Sequence, residues 1–388
     1  MRSRKIIIIL SISIASLFSS CNSEENGDTI RRIPLTLDIE SIPLITNDYK
    51  LSFELIPLGA NDSVIIGDYE NIRVYDNYLI TLNRISKEIF IFRRDGSYIA
   101  QIPIGRGPEE VIMPFMIFIN EDYGTLEILD YSVNKVVQYD FDGKFIGVFD
   151  QIESPMNIDF AAMGNKYIFY NAGRGGDKYP SLFTIIDNNE KEVTTRYFFN
   201  RMENIKEALF TYGSFMRFSD TLFFNAFYNN IIYGLTASDT IPFPVYSVDN
   251  VFNEDKNDFS SEEEFSDYCK SKGYARNLSE IRILDNGNLW AFSIIYSDKY
   301  HVIFWDRATD KIYRSVFTFP MGWLGMPIMF TSDGIYSYHR FTPDFVNRIK
   351  NDIIHPDTYP LYEMIMERYN KYGEDDNPYV IAVKYEKK

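Results

Sequence analysis

The sequence has few of the residues from which catalytic and metal sites are most often built. Its 388 residues include two cysteines and three histidines. The histidines, His301, His339 and His355, do not share the spacing of a metal site, and the HExxH and GxSxG motifs are absent. The signatures of zinc proteases and of α/β-hydrolases are therefore excluded.

Positive charge is also scarce. The 39 lysines and arginines stand against 55 aspartates and glutamates, which gives a net charge of −16. Nucleic-acid binding requires a basic surface, so no nucleic-acid partner is expected. The apolar fraction of 45% is that of a globular chain with a core. With 31 Phe and 29 Tyr, residues that favour pleated strands, the composition predicts an all-β protein.

The apolar run at the amino terminus is too short to span a membrane as a mature helix. It covers Ile6–Phe18 and follows the basic residues Arg2, Arg4 and Lys5. A short apolar run behind positive charges is typical of a signal peptide that is removed from the mature protein. We therefore expect residues 1–20 to be absent from the mature chain.

The end of this run resembles a bacterial lipobox. Small residues precede a cysteine in the segment 17–21, LFSSC. The resemblance implies cleavage before Cys21 and lipidation of that cysteine, so that residues 21–48 form a lipidated tether to the membrane. An ordinary secretory peptide with an incidental cysteine is the alternative. If Cys21 is acylated, Cys269 has no disulfide partner.

Two glutamates stand three and four residues after the cysteine. Glu24 and Glu25 resemble the surface-export signal of Bacteroidota lipoproteins. We expect an outer-membrane lipoprotein that faces either the periplasm or the cell surface.

A repeat of 47 residues organises the rest of the chain. Residues 79–102 align without a gap with residues 126–149. Each copy contains an Asp-Gly pair, Asp95-Gly96 or Asp142-Gly143, between segments of alternating apolar residues. Asp-Gly is a strong hairpin signal because the tight turn needs a positive φ. A four-stranded unit with a period in the forties is the signature of a propeller blade.

The number of blades follows from the length. Two helical insertions are expected, at about 252–275 and 342–377, and the remainder of 49–388 holds about six units. The segments 50–58 and 379–385 are strands without a hairpin partner, and pairing them would close the ring. The prediction is an all-β, six-bladed β-propeller with its amino- and carboxy-terminal strands closing the ring. Weaker copies of the unit begin near residues 167, 222, 289 and 327.

Three segments then resemble a known family. Residues 104–110, IGRGPEE, with 113–115, MPF, are similar to the linker after the first blade of the six-bladed β-propeller lipoproteins of Bacteroidota, which are themselves similar to NHL-repeat propellers. Residues 377–381, NPYVI, resemble the last strand of that family. The resemblance implies the architecture and a location in the cell envelope, and it implies no reaction.

Arginines on loops and inner strands are the main candidates for ligand binding. Arg106 lies in the glycine-rich linker, which is an interblade turn or, less in keeping with the missing Walker residues, a phosphate loop. Arg174 lies in the glycine-rich loop 172–177, a binding loop or a solvated one. Arg217 and Arg282 are expected on inner strands, where they would make the channel cationic and admit an anionic ligand. His339, in the sixth blade, is the remaining candidate.

The two insertions are expected to be helical. Ser260 and Glu263 predict a capping box for a helix that Gly273 ends, with Cys269 buried on its apolar face. Residues Leu361 and Ile365 belong to an apolar stripe in the second insertion. That stripe predicts docking on the propeller, with a partner-binding lid as the alternative.

Three functions remain open. The first is an envelope-anchored lipoprotein that binds a protein, peptide or glycan ligand on one propeller face, with no catalytic residues and no cofactor. The alternative is a calcium-dependent hydrolase or lyase, similar to lactonase-type propellers whose channel holds calcium. Oxygen ligands for calcium would come from Asn157, Asp159 and Glu280. A purely structural or sensory role is a third reading.

Overall fold

The strands form six sheets, arranged as the six blades of a β-propeller. The computed structural model describes residues 30–59, 64–150, 157–171, 183–189, 192–197, 215–226, 229–239, 241–254, 259–276, 278–316, 329–346 and 356–388. The predicted fold class and blade number are confirmed.

The chain begins with two strands that complete later sheets, β1 (Arg31–Ile33) and β2 (Tyr49–Pro57). Blade one contains β3 (Asn71–Tyr75), β4 (Tyr78–Asn83), β5 (Glu88–Arg93) and β6 (Tyr98–Gln101). Blade two contains β7 (Pro114–Asn120), β8 (Thr125–Asp130), β9 (Lys135–Tyr139) and β10 (Phe145–Phe149). Blade three contains β11 (Asp159–Met163), β12 (Lys166–Tyr170), β13 (Phe183–Asp187) and β14 (Glu192–Tyr197).

Blade four contains β15 (Phe215–Phe218), β16 (Thr221–Asn225), β17 (Ile231–Thr236) and β18 (Phe243–Val248), with β1 added in parallel to its outer edge. Blade five contains β19 (Leu278–Leu284), β20 (Leu289–Tyr296), β21 (Lys299–Asp306) and β22 (Lys311–Arg314). Blade six contains β23 (Met329–Ser332), β24 (Tyr336–Phe341) and β25 (Tyr379–Lys387), with β2 outermost. Short 3-10 helices cover Ile39–Ser41, Ile45–Asn47, Asp285–Gly287, Pro343–Phe345 and Pro356–Thr358.

The innermost strands are β3, β7, β11, β15, β19 and β23. Contacts join β3 to β7, β7 to β11, β15 to β19, β19 to β23 and β23 back to β3. Within each blade the inner strand runs into a hairpin turn, so these turns gather at one end of the channel that the inner strands surround.

The 47-residue repeat places equivalent side chains in equivalent interblade cores. Leu79 and Leu126 are both fully buried, and so are Phe92 and Tyr139. The Asp-Gly turns require glycine, because Gly96 has a φ of 86° and Gly143 one of 80°. These positions explain why two blades align without a gap.

The ends of the propeller meet in blade six. Strand β2 pairs antiparallel with β25 along its whole length, from Tyr49 opposite Lys387 to Pro57 opposite Tyr379. The predicted closure by terminal strands is therefore confirmed. The pairing gives β25 a hydrogen-bonded neighbour on both sides and makes β2 the outermost strand of blade six.

The segment expected to be a tether is packed from Arg31 onwards. Ile33, Leu35, Ile39 and Ile42 are all buried in one apolar cluster with residues of blades four and five. Their spacing gives the segment an apolar face, which burial against the blades stabilises. The expected signal peptide and the first residues of the expected tether lie outside the described residues.

Both insertions contain a helix. Helix α1 (Glu262–Lys272) begins at Ser261, whose hydroxyl accepts a hydrogen bond from Glu264 N, so the capping pair lies one residue later than predicted. Gly273, with a φ of 68°, ends the helix, and Cys269 is fully buried, as expected.

The second helix, α2 (Tyr359–Tyr372), docks on the propeller. Leu361 and Ile365 are buried in the cluster that also holds Phe341 and Tyr379 of blade six. The contacts therefore support the prediction that this helix docks on the propeller.

Candidate ligand site in the central channel

Charged side chains from three different blades meet at the centre of the ring. Arg73 lies in the middle of β3, Arg282 on β19, and Asp159 begins β11. Arg73 is 7% exposed, Arg282 is 2% exposed and Asp159 is fully buried. The electrostatic effects of Arg73 and Asp159 both reach Arg282, so the three groups form one cluster, which we call the channel cluster together with Glu280.

Arg73 has unused hydrogen-bonding capacity. Its Nη1 donates to Asn71 Oδ1 at 3.1 Å and to the carbonyl oxygen of Ile72 at 3.2 Å. Its Nη2 is buried and has no hydrogen-bond partner in the structure. Burial lowers the pKa of Arg73, and the negative charge of Asp159 opposes that change. The guanidinium carbon lies 6.0 Å from the ring centre of Phe118.

Arg282 is the second cation of the cluster. Its Nη1 donates to the carbonyl oxygen of Ile281 at 2.8 Å. Burial lowers the pKa of Arg282 to about 10; Glu280 and Asp159 favour its charged form and the positive charge of Arg73 disfavours it. The two arginines thus repel one another in a desolvated space.

Glu280 reaches the cluster through an irregularity of β19. The register between β19 and β20 shifts between Ser279 and Arg282, and Glu280 has a φ of 53°, which is unusual for a residue other than glycine. Its carboxylate accepts a hydrogen bond from Ser293 Oγ at 2.9 Å and another from the Tyr300 hydroxyl. Burial raises the pKa of Glu280, against the influence of Arg282.

Contacts across the ring close the channel at the hairpin end. Arg217 of blade four donates two hydrogen bonds to Asp122 of blade two, each 2.7 Å long. Phe218 packs against the turns of blades five and six, because a Cβ on Gly287 or Gly334 would lie 2.8 to 2.9 Å from its ring. Blade four therefore contacts the turns of its neighbour, blade five, and of blade six.

A second contact lies one residue further into the channel. Ser332 Oγ of blade six is 3.5 Å from Met216 Sδ of blade four. The Ile283 amide of blade five donates to the same hydroxyl oxygen at 3.3 Å. Arg282 is adjacent to Ile283, so the channel cluster lies immediately inside the closed end.

Arg217 and Arg282 have different charged neighbours. The positive charge of Arg217 is paired with Asp122, and Glu121 lies 3.8 Å away. Arg282 lies in the channel cluster, where its charge interacts with Glu280, Arg73 and Asp159. The structure places Arg73, and not Arg217, beside Arg282. That the channel is locally cationic stays a prediction.

Sequence reasoning missed Arg73. The residue stands in β3 between Ile72 and Val74, and an arginine within such an apolar strand was the available signal. The repeat could not reveal it, because the aligned copies begin at residue 79, after β3.

In the glycine-rich linker, a backbone amide donates a hydrogen bond to the carboxylate of a glutamate in the same segment. Gly107 N donates to Glu110 Oε2 at 2.6 Å, and a Cβ on Gly105 would lie 2.0 Å from the same oxygen. Gly105 N also bonds the Val111 carbonyl oxygen, which makes the segment an interblade turn. The Glu110 carboxylate therefore lies against the backbone of the linker, and Arg106 is exposed.

The other candidates are placed as follows. His339 is 2% exposed, and its Nε2 lies 2.7 Å from Ser337 Oγ, within blade six. Arg174 and the expected lipidation site Cys21 lie outside the described residues.

The oxygen ligands suggested for calcium lie beside positive charge. Asp159 and Glu280 both interact with Arg282, and Asn157 is 4% exposed. Over the described part of the chain, no three His, Cys, Asp or Glu side chains are grouped so that they could hold a metal ion. Two buried guanidinium groups would repel a divalent cation.

These features define a six-bladed propeller with a charged cluster at its centre. The chain belongs to the family described as domain of unknown function DUF4934, whose model matches residues 31–384. No curated protein is significantly similar to the chain in sequence.

Two solved structures from Bacteroides are similar to this chain. One is a protein of Bacteroides fragilis described as exported; it is 15% identical, the match covers 92% of this chain and 100% of that chain, and the TM-score is 0.64. The other is a member of the DUF4221 family from Bacteroides vulgatus, 12% identical over 88% of this chain and 99% of that chain, with a TM-score of 0.47. With the six blades, the family match and the first of these structures support the propeller family of Bacteroidota expected from the sequence.

None of the helices among the described residues combines the length and the apolar composition required to cross a bilayer.

Proposed function

We propose that this protein is an outer-membrane lipoprotein, anchored through Cys21, whose propeller binds a ligand in the central channel and acts by binding rather than by catalysis. The channel cluster is the observation that carries the binding role. Moving a charge out of water costs several kcal/mol, and a close ion pair offsets that cost only with good geometry. Buried charges in a channel are therefore candidates for ligand binding.

The contacts of the cluster support binding over catalysis. Glu280 is held by the hydroxyl groups of Ser293 and Tyr300, and no nucleophile with an adjacent base lies among the described residues of the channel cluster. Ser337 and His339 do form a close pair, but both are buried within blade six. A substrate could not reach them without opening the blade.

The binding role can be tested on protein purified from native membranes. The full chain in detergent is denatured, and the released small molecules are identified by mass spectrometry. The wild type is expected to release a ligand that Arg282→Met lacks, whereas Arg106→Met, which alters an exposed arginine, retains it. If the wild type releases nothing, and no peptide, glycan or organic acid shifts its unfolding temperature, the binding role is contradicted.

The anchor has a separate test. The lipobox resemblance predicts that Cys21 carries the lipid, while Cys269 is fully buried and serves as a control. Metabolic labelling with a fatty-acid analogue should label the wild type and Cys269→Ser but not Cys21→Ser, which should also leave the membrane fraction. Labelling of Cys21→Ser would contradict the anchor.

A further inference from the structure

We propose that the ligand presents a carboxylate group to Arg73 and Arg282 at the closed end of the channel. This inference rests on the proposed binding function and names the chemistry of its ligand. The structure supplies an unsatisfied donor, a second cation and contacts between blades at one end of the channel. No other described part of the molecule combines these three features.

The unsatisfied donor is Arg73 Nη2. A buried donor without an acceptor costs free energy, and native proteins leave few such groups. Within the structure Arg73 Nη1 is satisfied by Asn71 and by the backbone, so Nη2 is the buried donor that still lacks an acceptor. An acceptor brought by a ligand would satisfy it.

A carboxylate suits this donor geometrically. The guanidinium group is a planar fork that pairs with carboxylates through two parallel hydrogen bonds. Contact with the Phe118 ring and the bond to Asn71 restrict the plane of the Arg73 fork before a ligand arrives. Little conformational entropy would then be lost on binding.

The charge of the cluster favours a single negative charge. Arg73 and Arg282 bring two positive charges, and Asp159 and Glu280 are the carboxyl groups that face them. Because burial also raises the pKa of Glu280, its charged form is disfavoured and the arginines are less fully compensated. One added anion would relieve the repulsion between the arginines, whereas a dianion would be repelled by Asp159.

The closed end implies that the carboxylate is terminal. Arg217 with Asp122 and Met216 with Ser332 block passage on the hairpin side. A ligand would thus enter from the other end with its carboxylate first. A free organic acid and the carboxy terminus of a peptide share this chemistry.

The test uses the full chain in detergent and follows the unfolding temperature. Probes are acetate, an acetylated tri-alanine with a free carboxy terminus, the same peptide amidated, and sodium phosphate, all at equal ionic strength. Acetate at about 100 times its dissociation constant should raise the unfolding temperature by about 3 °C. Stronger binding of the free-acid peptide than of acetate would identify a peptide terminus as the source, and equal or weaker binding a small organic acid.

Three variants make the test specific. Arg73→Met should abolish the response to carboxylates, and Arg73→Lys, which keeps the charge but loses the fork, should weaken it about tenfold. Arg106→Met should respond like the wild type. If Arg73→Met does not fold, the weaker response of Arg73→Lys still tests the role of Arg73.

Three results would overturn the carboxylate inference. They are the absence of a wild-type response to any carboxylate, an unchanged response in Arg73→Lys and Arg73→Met, and equal stabilisation by the amidated peptide. Release of a neutral or cationic ligand from the native protein would overturn this inference and leave the proposed binding function intact. If no ligand is released and no probe binds, both fail.

Discussion

Tyr49 and Lys387 lie opposite one another at one end of the β2–β25 pairing, and both side chains contact Asp306 of blade five. The Tyr49 hydroxyl donates to Asp306 Oδ2 at 3.0 Å, and Lys387 Nζ donates to the same oxygen at 2.6 Å. The strand that opens the propeller and the strand that ends it are therefore tied to a third blade. The contacts that hold the terminal strands therefore involve blade five as well as blade six.

This closure predicts a cooperative loss of structure on truncation. Removing residues 379–388 takes away a strand that lies between β2 and β24, so blade six loses its central pairing. We expect the truncated chain to be digested throughout by limited proteolysis and to lose its thermal transition. Deletion of residues 22–29, before the first described strand, is the control and should leave the transition unchanged. A truncated chain that melts like the wild type would contradict the closure.

Gly96 is expected to be irreplaceable for two reasons. Its φ is 86°, and a Cβ would lie 2.2 Å from the Pro57 carbonyl oxygen of β2. Gly96→Ala should therefore lower the free energy of unfolding by at least about 2 kcal/mol. Gly124, with a φ of 62° and nothing within 4 Å of an added Cβ, is the matched control, and Gly124→Ala should cost only about 1 kcal/mol. Equal urea midpoints for the two variants would show that the contact with β2 does not matter.

The ion pair between Arg217 and Asp122 predicts that the stability of the fold falls at acidic pH. Arg217 holds the pKa of Asp122 below its ordinary value. A depressed carboxyl pKa contributes stability that is present above the unfolded-state pKa and is lost as pH falls through the folded-state pKa. Asp122→Asn should thus be less stable than the wild type at pH 7, and the difference should vanish at strongly acidic pH. Urea unfolding at a series of pH values measures it, and a constant difference would count against the pair.

For Glu127 we predict the opposite dependence of stability on pH. It is fully buried between blades two and three, where it accepts hydrogen bonds from Thr125, Gln138 and Tyr167. Burial raises its pKa from 4.5. A raised pKa contributes stability that is complete below the unfolded-state pKa and is lost as pH rises through the folded-state pKa.

The measurement for Glu127 is the slope of stability against pH. Between pH 4.5 and neutrality Glu127→Gln should lose less stability than the wild type, because its side chain cannot ionise. Glu363→Gln, at an exposed position of α2, should keep the wild-type slope. Identical slopes in all three proteins would mean that Glu127 ionises without penalty in the fold.

Local patterns were sufficient to predict most of the fold. The Asp-Gly turns and the 47-residue offset specify neighbouring strands, so blades one and two could be aligned and the ring counted. The start of α1 was misplaced by one residue because Ser260 and Ser261 can both serve as caps. Burial of the segment after Arg31 was missed because it depends on contacts with blades four and five that lie far away in the sequence.

The site was less predictable for the same physical reason. An arginine on an inner strand can be recognised locally, as Arg282 was, but its charge depends on its partners. The partner of Arg217 is Asp122, which lies two blades away. Arg73 acquires its role only when β3, β11 and β19 surround the channel, and no spacing along the chain records that arrangement.

The central claim is that the buried arginines of the channel bind a carboxylate. The most direct measurement is a pair of crystal structures of the full chain, grown with and without formate. We expect a difference peak within hydrogen-bonding distance of Arg73 Nη2 and next to Arg282, which disappears in Arg73→Met. A channel without such a peak, in which Arg73 Nη2 bonds a protein group instead, would contradict the account.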